Sequence, residues 1–164
     1  MSSLWTATRA LVYTGLFVWL WGWVALSVRP YDSRLGGALG PWAVPVGWAV
    51  IAVGAALVVS CQWAFILRGR GTPAPFDAPR QVVAAGPYRF VRNPMYLAGF
   101  VVLIGFGLVE RSGAIVIFSA LWLLVVHLAV VFLEEPDLRR KFGSSYEDYR
   151  RAVPRWLPRR PARQ

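Results

Sequence analysis

Eleven residues from Gly86 to Tyr96, Gly-Pro-Tyr-Arg-Phe-Val-Arg-Asn-Pro-Met-Tyr, gather the groups of this chain best suited to chemistry. Two arginines, Arg89 and Arg92, and two tyrosines, Tyr88 and Tyr96, crowd a basic segment set between two apolar runs. Gly86-Pro87 is a strong turn signal. Asn93-Pro94 then opens the next apolar run. Asparagine is a good N-cap, and proline is tolerated at the first helical position, where no amide donor is needed. The segment therefore ends, and a membrane helix begins, at Asn93. A helix start presents unpaired N–H groups, a natural seat for a ligand carboxylate or phosphate. The bland account places the arginines at lipid headgroups and the tyrosines in an interfacial belt. For any one residue that account is at least as strong. The functional reading rests on the density of these groups and on the acids further along the chain.

Downstream stands the pair Glu134-Glu135, at the end of an apolar run. Acids at such a depth are costly without partners or a wet cavity, and the macrodipole at a helix C-terminus disfavours them further. Two carboxylates kept there imply a cation, either a ligand's or that of Arg89, Arg92, Arg139 or Arg140. His127 lies seven residues before Glu134, on roughly the same helical face. It either lines a pocket or hydrogen-bonds to a neighbouring helix, the second being the more ordinary role. Other chemistries lack their residues. One cysteine and one histidine build no zinc site and no intramolecular disulfide, so no metal is expected. There is no Walker-type loop, no Gly-x-Ser-x-Gly elbow and no dinucleotide fingerprint. Gly105-Phe106-Gly107 is mid-membrane and reads as helix packing, and Cys61 has no basic setting to activate it.

The elements that must position these groups are membrane helices. The chain is 57% hydrophobic, with nine tryptophans and only 16% charged residues. Its net charge of +10 would suggest nucleic acid in a soluble protein. Beside apolar runs of this length it reads as membrane orientation and headgroup contact, with no nucleic acid as partner. A span needs about 20 apolar residues. Four are expected, at 10–28, 41–67, 94–109 and 114–133, the last two forming a hairpin across Glu110–Gly113. Gly47 and Gly54, seven apart, share a face of the second helix and read as ordinary close packing. Arg68–Arg92 is a long polar connection in which Gln81–Ala85 is a short apolar patch. After Leu133, Ser144-Ser145-Tyr146-Glu147 has capping-box spacing and predicts a short amphipathic helix to about Ala152. The fold class is thus an all-α polytopic membrane protein of one domain, residues 1–164. Ala25-Leu26-Ser27 loosely resembles a cleavage site, but the Trp-rich run before it favours an uncleaved first helix.

Taken in order, Gly86-Pro87-Tyr88, Arg92-Asn93-Pro94-Met95-Tyr96, Glu134-Glu135, Phe142-Gly143-x-x-Tyr146-x-x-Tyr149 and Val153-Pro154-Arg155 form a joint pattern. It resembles the isoprenylcysteine carboxyl methyltransferase and phospholipid methyltransferase family, over roughly residues 68–158. The resemblance implies an integral membrane enzyme that uses S-adenosylmethionine without a Rossmann domain, the cofactor lying at the cytosolic face. Carried over by motif, the cofactor contacts are Arg80, Gln81, Val82, Val83, Tyr88, Asn93, Pro94, Met95, Tyr96 and Glu134, with Glu135 a weaker member. Arg89, Arg92 and His127 are candidates on the substrate side. Two departures stand out. The family often has Arg-His-Pro where this chain has Arg92-Asn93-Pro94, and asparagine cannot act as a base. In the prenylcysteine enzymes an arginine that contacts substrate lies four residues before the first glutamate, where this chain has Val130. An anionic prenylcysteine carboxylate therefore loses its partner. The implied acceptor is an amphiphile held in the bilayer: a phospholipid amine or an isoprenoid-like lipid first, a small hydrophobic thiol or acid second.

Two other classes compete. A non-enzymatic four-helix transporter or scaffold would not need the paired acids beside the tyrosine–arginine segment, and an ion-coupled transporter would usually carry a mid-membrane acid, absent here. A nicotinamide-dependent membrane reductase would share the topology but lacks its motif. The charge asymmetry fixes the orientation. Arg9, five arginines of the 68–93 segment and nine basic residues after Leu133 fall on one side, and Arg29, Arg34 and Arg111 on the other. The positive-inside rule places both termini and the motifs in the cytosol, in the cell (inner) membrane. Reporter fusions after Gly71 and at the C-terminus should read cytosolic and one after Gly37 external; a cytosolic signal after Gly37 would overturn the four-span reading.

Overall fold

A computed structural model describes residues 3–35, 37–65, 67, 82 and 84–158. Its helices are α1 (Ser3–Val28), α2 (Ala43–Ala64), α3 (Pro94–Val109), α4 (Gly113–Ala129), α5 (Glu135–Phe142) and α6 (Ser144–Ala152). Among the described residues three segments, Leu11–Tyr31, Ala43–Ala64 and Gly113–Phe142, are long and apolar enough to cross a membrane, and Pro94–Val109 is a shorter apolar helix. The protein is an all-helical polytopic membrane protein. The third helix keeps the bounds read from the sequence. The fourth does not end at Leu133. It passes through a π turn, Val130–Glu134, straight into α5. Pro136 supplies the reason. It has no amide hydrogen to give the carbonyl one turn back, and its ring crowds that carbonyl. The helix widens instead, and the Glu135 N–H reaches the Val130 carbonyl. Such π turns recur at functional sites.

The chain divides into two compact units. One comprises Thr14–Ala56 and Tyr96–Val126. Within it, α2 meets α3 along glycines. A methyl group added at Gly47 would stand 2.7 Å from the Gly105 carbonyl, and one at Gly54 would stand 2.7 Å from the Val102 side chain. The expected packing role of Gly47, Gly54 and Gly105 is thus the observed one, and Gly107 meets Val116 of α4 in the same way. Leu103, Ile115, Trp122 and Ala25 form the core of this unit, with Trp21, Tyr96 and Phe118 around it.

At one end of this unit the α3–α4 turn is fastened to the Arg29–Gly40 loop. Ser112 caps α4, its Oγ accepting the Ile115 N–H at 3.1 Å. Asp32 reinforces the cap across the loop. Its carboxylate accepts the Ser112 hydroxyl at 2.8 Å and the Ala114 N–H at 2.9 Å, where a helix start favours negative charge. The Leu39 N–H donates to the Arg111 carbonyl at 2.8 Å, and Arg29 pairs with Glu110 at 2.9 Å. The sequence announced a loop here but not these partners.

The glycine seam yields a differential test. Gly47→Ala should lower stability by about 1–3 kcal/mol, because the new methyl meets backbone that cannot turn aside. Gly15→Ala, with nothing within 4 Å, should be neutral or slightly stabilising. Thermal unfolding in detergent measures both, and equal effects would refute the seam.

Candidate functional site

The second unit comprises Met1–Tyr13, Leu57–Met95 and His127–Gln164, and it holds most of the candidate residues. Its centre is the segment before α3. Ala85 is extended and Gly86 takes φ +55°, a left-handed conformation that glycine adopts freely. Pro87 then opens a single 3-10 turn, Gly86–Arg89, closed by Phe90 N–H donating to the Pro87 carbonyl at 3.1 Å. The turn drives Tyr88 inward against Cys61, Ala64 and Phe65, with Leu57 and Met95 alongside. Phe65 meets the Tyr88 ring edge-on at 5.1 Å. The turn signalled by Gly86-Pro87 is present, and α3 starts at Pro94 as expected.

Beside this turn lies a buried ion-pair cluster. Glu135 is 3% exposed. Its Oε1 accepts from Arg92 Nη1 at 2.8 Å and from Arg155 Nε at 2.7 Å, and its Oε2 accepts from Arg155 Nη2 at 3.0 Å. Arg92 Nη1 also approaches the Tyr146 hydroxyl at 3.5 Å, while Arg92 Nε is buried without a partner. Of the two acids, Glu135 is therefore engaged by the protein's own cations, as one reading of the pair required, though with Arg155 in place of the nearer Arg139 or Arg140. Glu134 lies half-buried in the π turn. Burial chiefly raises the phenols of Tyr88 and Tyr146, and the Glu134 charge adds a smaller part.

The tail completes the site, and this part was missed. The Tyr149 hydroxyl donates to the Tyr88 carbonyl at 2.8 Å, Arg92 N–H donates to the Pro154 carbonyl at 2.9 Å, and Asn93 Nδ2 reaches the Arg155 carbonyl at 3.4 Å. Trp156 Nε1 donates to His127 Nδ1 at 2.9 Å, so the imidazole is an acceptor there, the ordinary structural role for this histidine with the tail as partner. Tyr146, Tyr149 and Arg155 stood in the sequence pattern without assigned roles; the regular tyrosine spacing was the only signal. α6 forms where expected, but not by a capping box. Gly143, at φ +55°, is the N-cap, and Glu147 turns to Arg139 at 3.1 Å and Arg150 at 2.9 Å. Burial pushes the Tyr88 phenol well above its ordinary range, with Cys61, Tyr149 and Glu134 adding to it. Burial raises Tyr146 and Tyr149 too, aided by the Glu135 charge beside Tyr146 and by Tyr146 beside Tyr149. All three stay neutral near pH 7 and are not bases.

Tyr88, Arg92, Asn93, Pro94, Met95, Glu134, Glu135 and His127 thus fall in one unit. Tyr96 packs against the Trp122 cluster of the other. Arg89 is exposed, its guanidinium 5.8 Å from the Phe90 ring centroid. Val82 is half-buried, while Arg80, Gln81 and Val83 lie outside the described residues.

Residues 42–145 match the phospholipid methyltransferase family. The chain belongs to that family. This phospholipid methyltransferase family member is also similar to individual proteins. It is 25% identical to a methanethiol S-methyltransferase of Crocosphaera subtropica over 87% of this chain and 55% of that protein. It is 31% identical to a methanethiol S-methyltransferase of Pseudomonas deceptionensis over 85% of this chain and 53% of that protein. A shorter likeness, 33% identity over 48% of this chain and 37% of the other, is to the nickel-cobalt-cadmium resistance protein NccN of Alcaligenes xylosoxydans xylosoxydans. The chain spans about half the length of the two methanethiol enzymes.

The ion-pair cluster makes a stability prediction. Glu135→Ala strands two guanidinium groups, one of them nine-tenths buried, and should cost about 3–5 kcal/mol. Denaturant or thermal unfolding of the purified protein checks this; a loss below about 1 kcal/mol would show an exposed, weak pair.

Proposed function

We propose that this protein is a membrane methyltransferase that draws on S-adenosylmethionine and methylates a small hydrophobic thiol. The observation that supports the reading best is the convergence, within one unit of a phospholipid methyltransferase family chain, of the turn at Tyr88, the helix start at Asn93–Pro94 and the acid pair at the π turn. The donor set suits the cofactor. Arg92 Nε is a buried donor without a partner, neutral tyrosine rings offer aromatic faces suited to a sulfonium, and Glu134 suits amino or ribose groups. When bound, S-adenosylmethionine supplies a methyl group already activated on a sulfonium sulfur.

The chain's residues then have limited tasks. They hold the two reactants in line and exclude water. Tyr88, buried under the turn, shapes the floor of the site. Electrophile activation is not required of them, and the residues present supply little basicity. Asn93 does not titrate, the phenols stay protonated, and His127 Nδ1 is occupied by Trp156. An acceptor that ionises on its own fits such a site. A cysteine thiol is a few per cent thiolate at pH 7 and a simple alkanethiol less, but the sulfur is intrinsically very nucleophilic. Its proton would leave to water, and the segment from Tyr88 to Met95 with Glu134 would hold the sulfur in line with the methyl group that bound S-adenosylmethionine would supply. The two similar methanethiol S-methyltransferases point to the same class. Val130, 1% exposed, offers no cation for a carboxylate acceptor, so the prenylcysteine substrate is disfavoured. A neutral amine or hydroxyl on a phospholipid or isoprenoid-like amphiphile is the second reading, favoured by the exposed Arg89 beside Phe90, which suits an anionic headgroup. In both readings the bilayer is the partner surface, and the site faces the cytosol at the cell (inner) membrane.

Two measurements test the proposal. Labelled S-adenosylmethionine is offered with methanethiol, total membrane lipid and a prenylcysteine analogue side by side. Labelling of the thiol is expected; labelling of the prenylcysteine alone would overturn the assignment, and labelling of lipid alone would favour the second reading. Calorimetry with S-adenosylmethionine and with NADPH separates a methyltransferase from a reductase. Glu134→Gln should weaken S-adenosylmethionine binding about tenfold or more without unfolding the protein, since it removes a charged hydrogen bond while keeping size. Unchanged binding would make Glu134 a structural residue.

A further inference from the structure

The segment 86–93 packs through Tyr88 on Cys61, Ala64 and Phe65, and several of its backbone and polar groups are held by the chain after α5. Tyr149 fixes the Tyr88 carbonyl, Pro154 accepts the Arg92 N–H, and the Arg155 carbonyl accepts from Asn93. The Arg155 side chain goes further. Its fork takes both oxygens of Glu135 at 2.7 and 3.0 Å, and Glu135 in turn holds Arg92 at 2.8 Å. Hydrogen bonding to Glu135 raises the Arg155 guanidinium above its ordinary range. The stretch 153–158 has no regular secondary structure to hold it, so these contacts, with Trp156 on His127, are what seat it.

We propose that Arg155 is a positioning residue for methyl transfer. It acts through Glu135 on Arg92, and through its own carbonyl on Asn93, to fix the segment assigned to the methyl donor under the proposed function; the inference rests on that reading. Glu135 Oε1 is shared by two guanidiniums, and Oε2 is taken by Arg155 alone. Without Arg155 the carboxylate keeps one partner and is free to rotate toward Arg92. The segment then loses its fixed distance from α5. A lysine cannot replace the fork, because an ammonium is a point charge that does not span both carboxylate oxygens in one plane. Arg155 lies outside residues 42–145, the part matched to the family. It stands in the sequence pattern without a role there, and the role proposed for it follows from the geometry.

The test uses the full chain in detergent or nanodiscs, with Arg155→Gln, Arg155→Lys, Glu135→Gln, the double variant Arg155→Gln/Glu135→Gln, and Tyr149→Phe. Two quantities are read: the S-adenosylmethionine dissociation constant by calorimetry, and amide hydrogen exchange of residues 86–93. Arg155→Gln should raise the dissociation constant about tenfold, the scale of one charged hydrogen bond, and speed exchange of the segment. Arg155→Lys should restore only part of both. In the Glu135→Gln background the further change Arg155→Gln should matter by less than about twofold, because the two act as one unit. Full rescue by lysine, equal losses in both backgrounds, or exchange at 86–93 unchanged in Arg155→Gln would each overturn the proposal. Should Arg155→Gln fail to fold, Tyr149→Phe, which removes one hydroxyl, must still speed exchange near Tyr88; unchanged exchange there refutes the anchoring. If the wild type binds no S-adenosylmethionine, the functional reading falls, while the exchange data still decide whether Arg155 and the tail hold the segment.

Discussion

One carboxylate between two guanidiniums governs the site. Glu135 is almost fully buried and joins Arg92, before the third helix, to Arg155, near the end of the described chain. Taking such charges out of water is expensive, and a buried pair often stabilises no more than apolar packing would. What it supplies is geometry. Hydrophobic contact is indifferent to small slides and rotations, whereas a bidentate fork is not. Lipid-facing helices leave their ends loosely defined; a shared carboxylate defines where the segment of residues 86–93 and α5 meet.

The π turn belongs to the same arrangement. Pro136 alone would kink or break an α-helix, yet here helical structure continues without a break from Gly113 to Phe142, apolar and then polar. The extra residue in the widened turn rotates α5 by about 100° relative to an unbroken helix. The two adjacent glutamates stand at the end of this turn in different surroundings. Glu135 goes in and Glu134 stays half-buried. Two neighbouring acids of identical chemistry thus have different environments.

The sequence disclosed whatever depends on local composition. Apolar runs gave the spans, Gly86-Pro87 gave the turn, Asn93-Pro94 gave the start of α3, and the glycines at 47, 54 and 105 gave the helix seam. Long-range partners were another matter. Nothing in the composition near Arg155 says that it meets an acid twenty residues back, rather than Arg139 or Arg140 doing so from within the same helix. Helix α5 was hidden because Glu-Glu-Pro-Asp reads as a break, and only the π turn lets the helix pass it. The capping box failed for a similar reason: Gly143 already turned the chain, and Glu147 found two arginines instead. Asp32 capping α4 across a loop lay equally out of reach of spacing rules.

Burial of Cys61 carries a further consequence. The thiol is 0% exposed and packs against Tyr88, in the same unit as the acid pair. A protein that handles sulfonium methyl groups works beside a reagent that alkylates sulfur. A reachable native cysteine would compete with any sulfur acceptor and would end as a permanent thioether. Under the proposed function, sealing the chain's single cysteine against the Tyr88 ring would keep it away from the methyl donor.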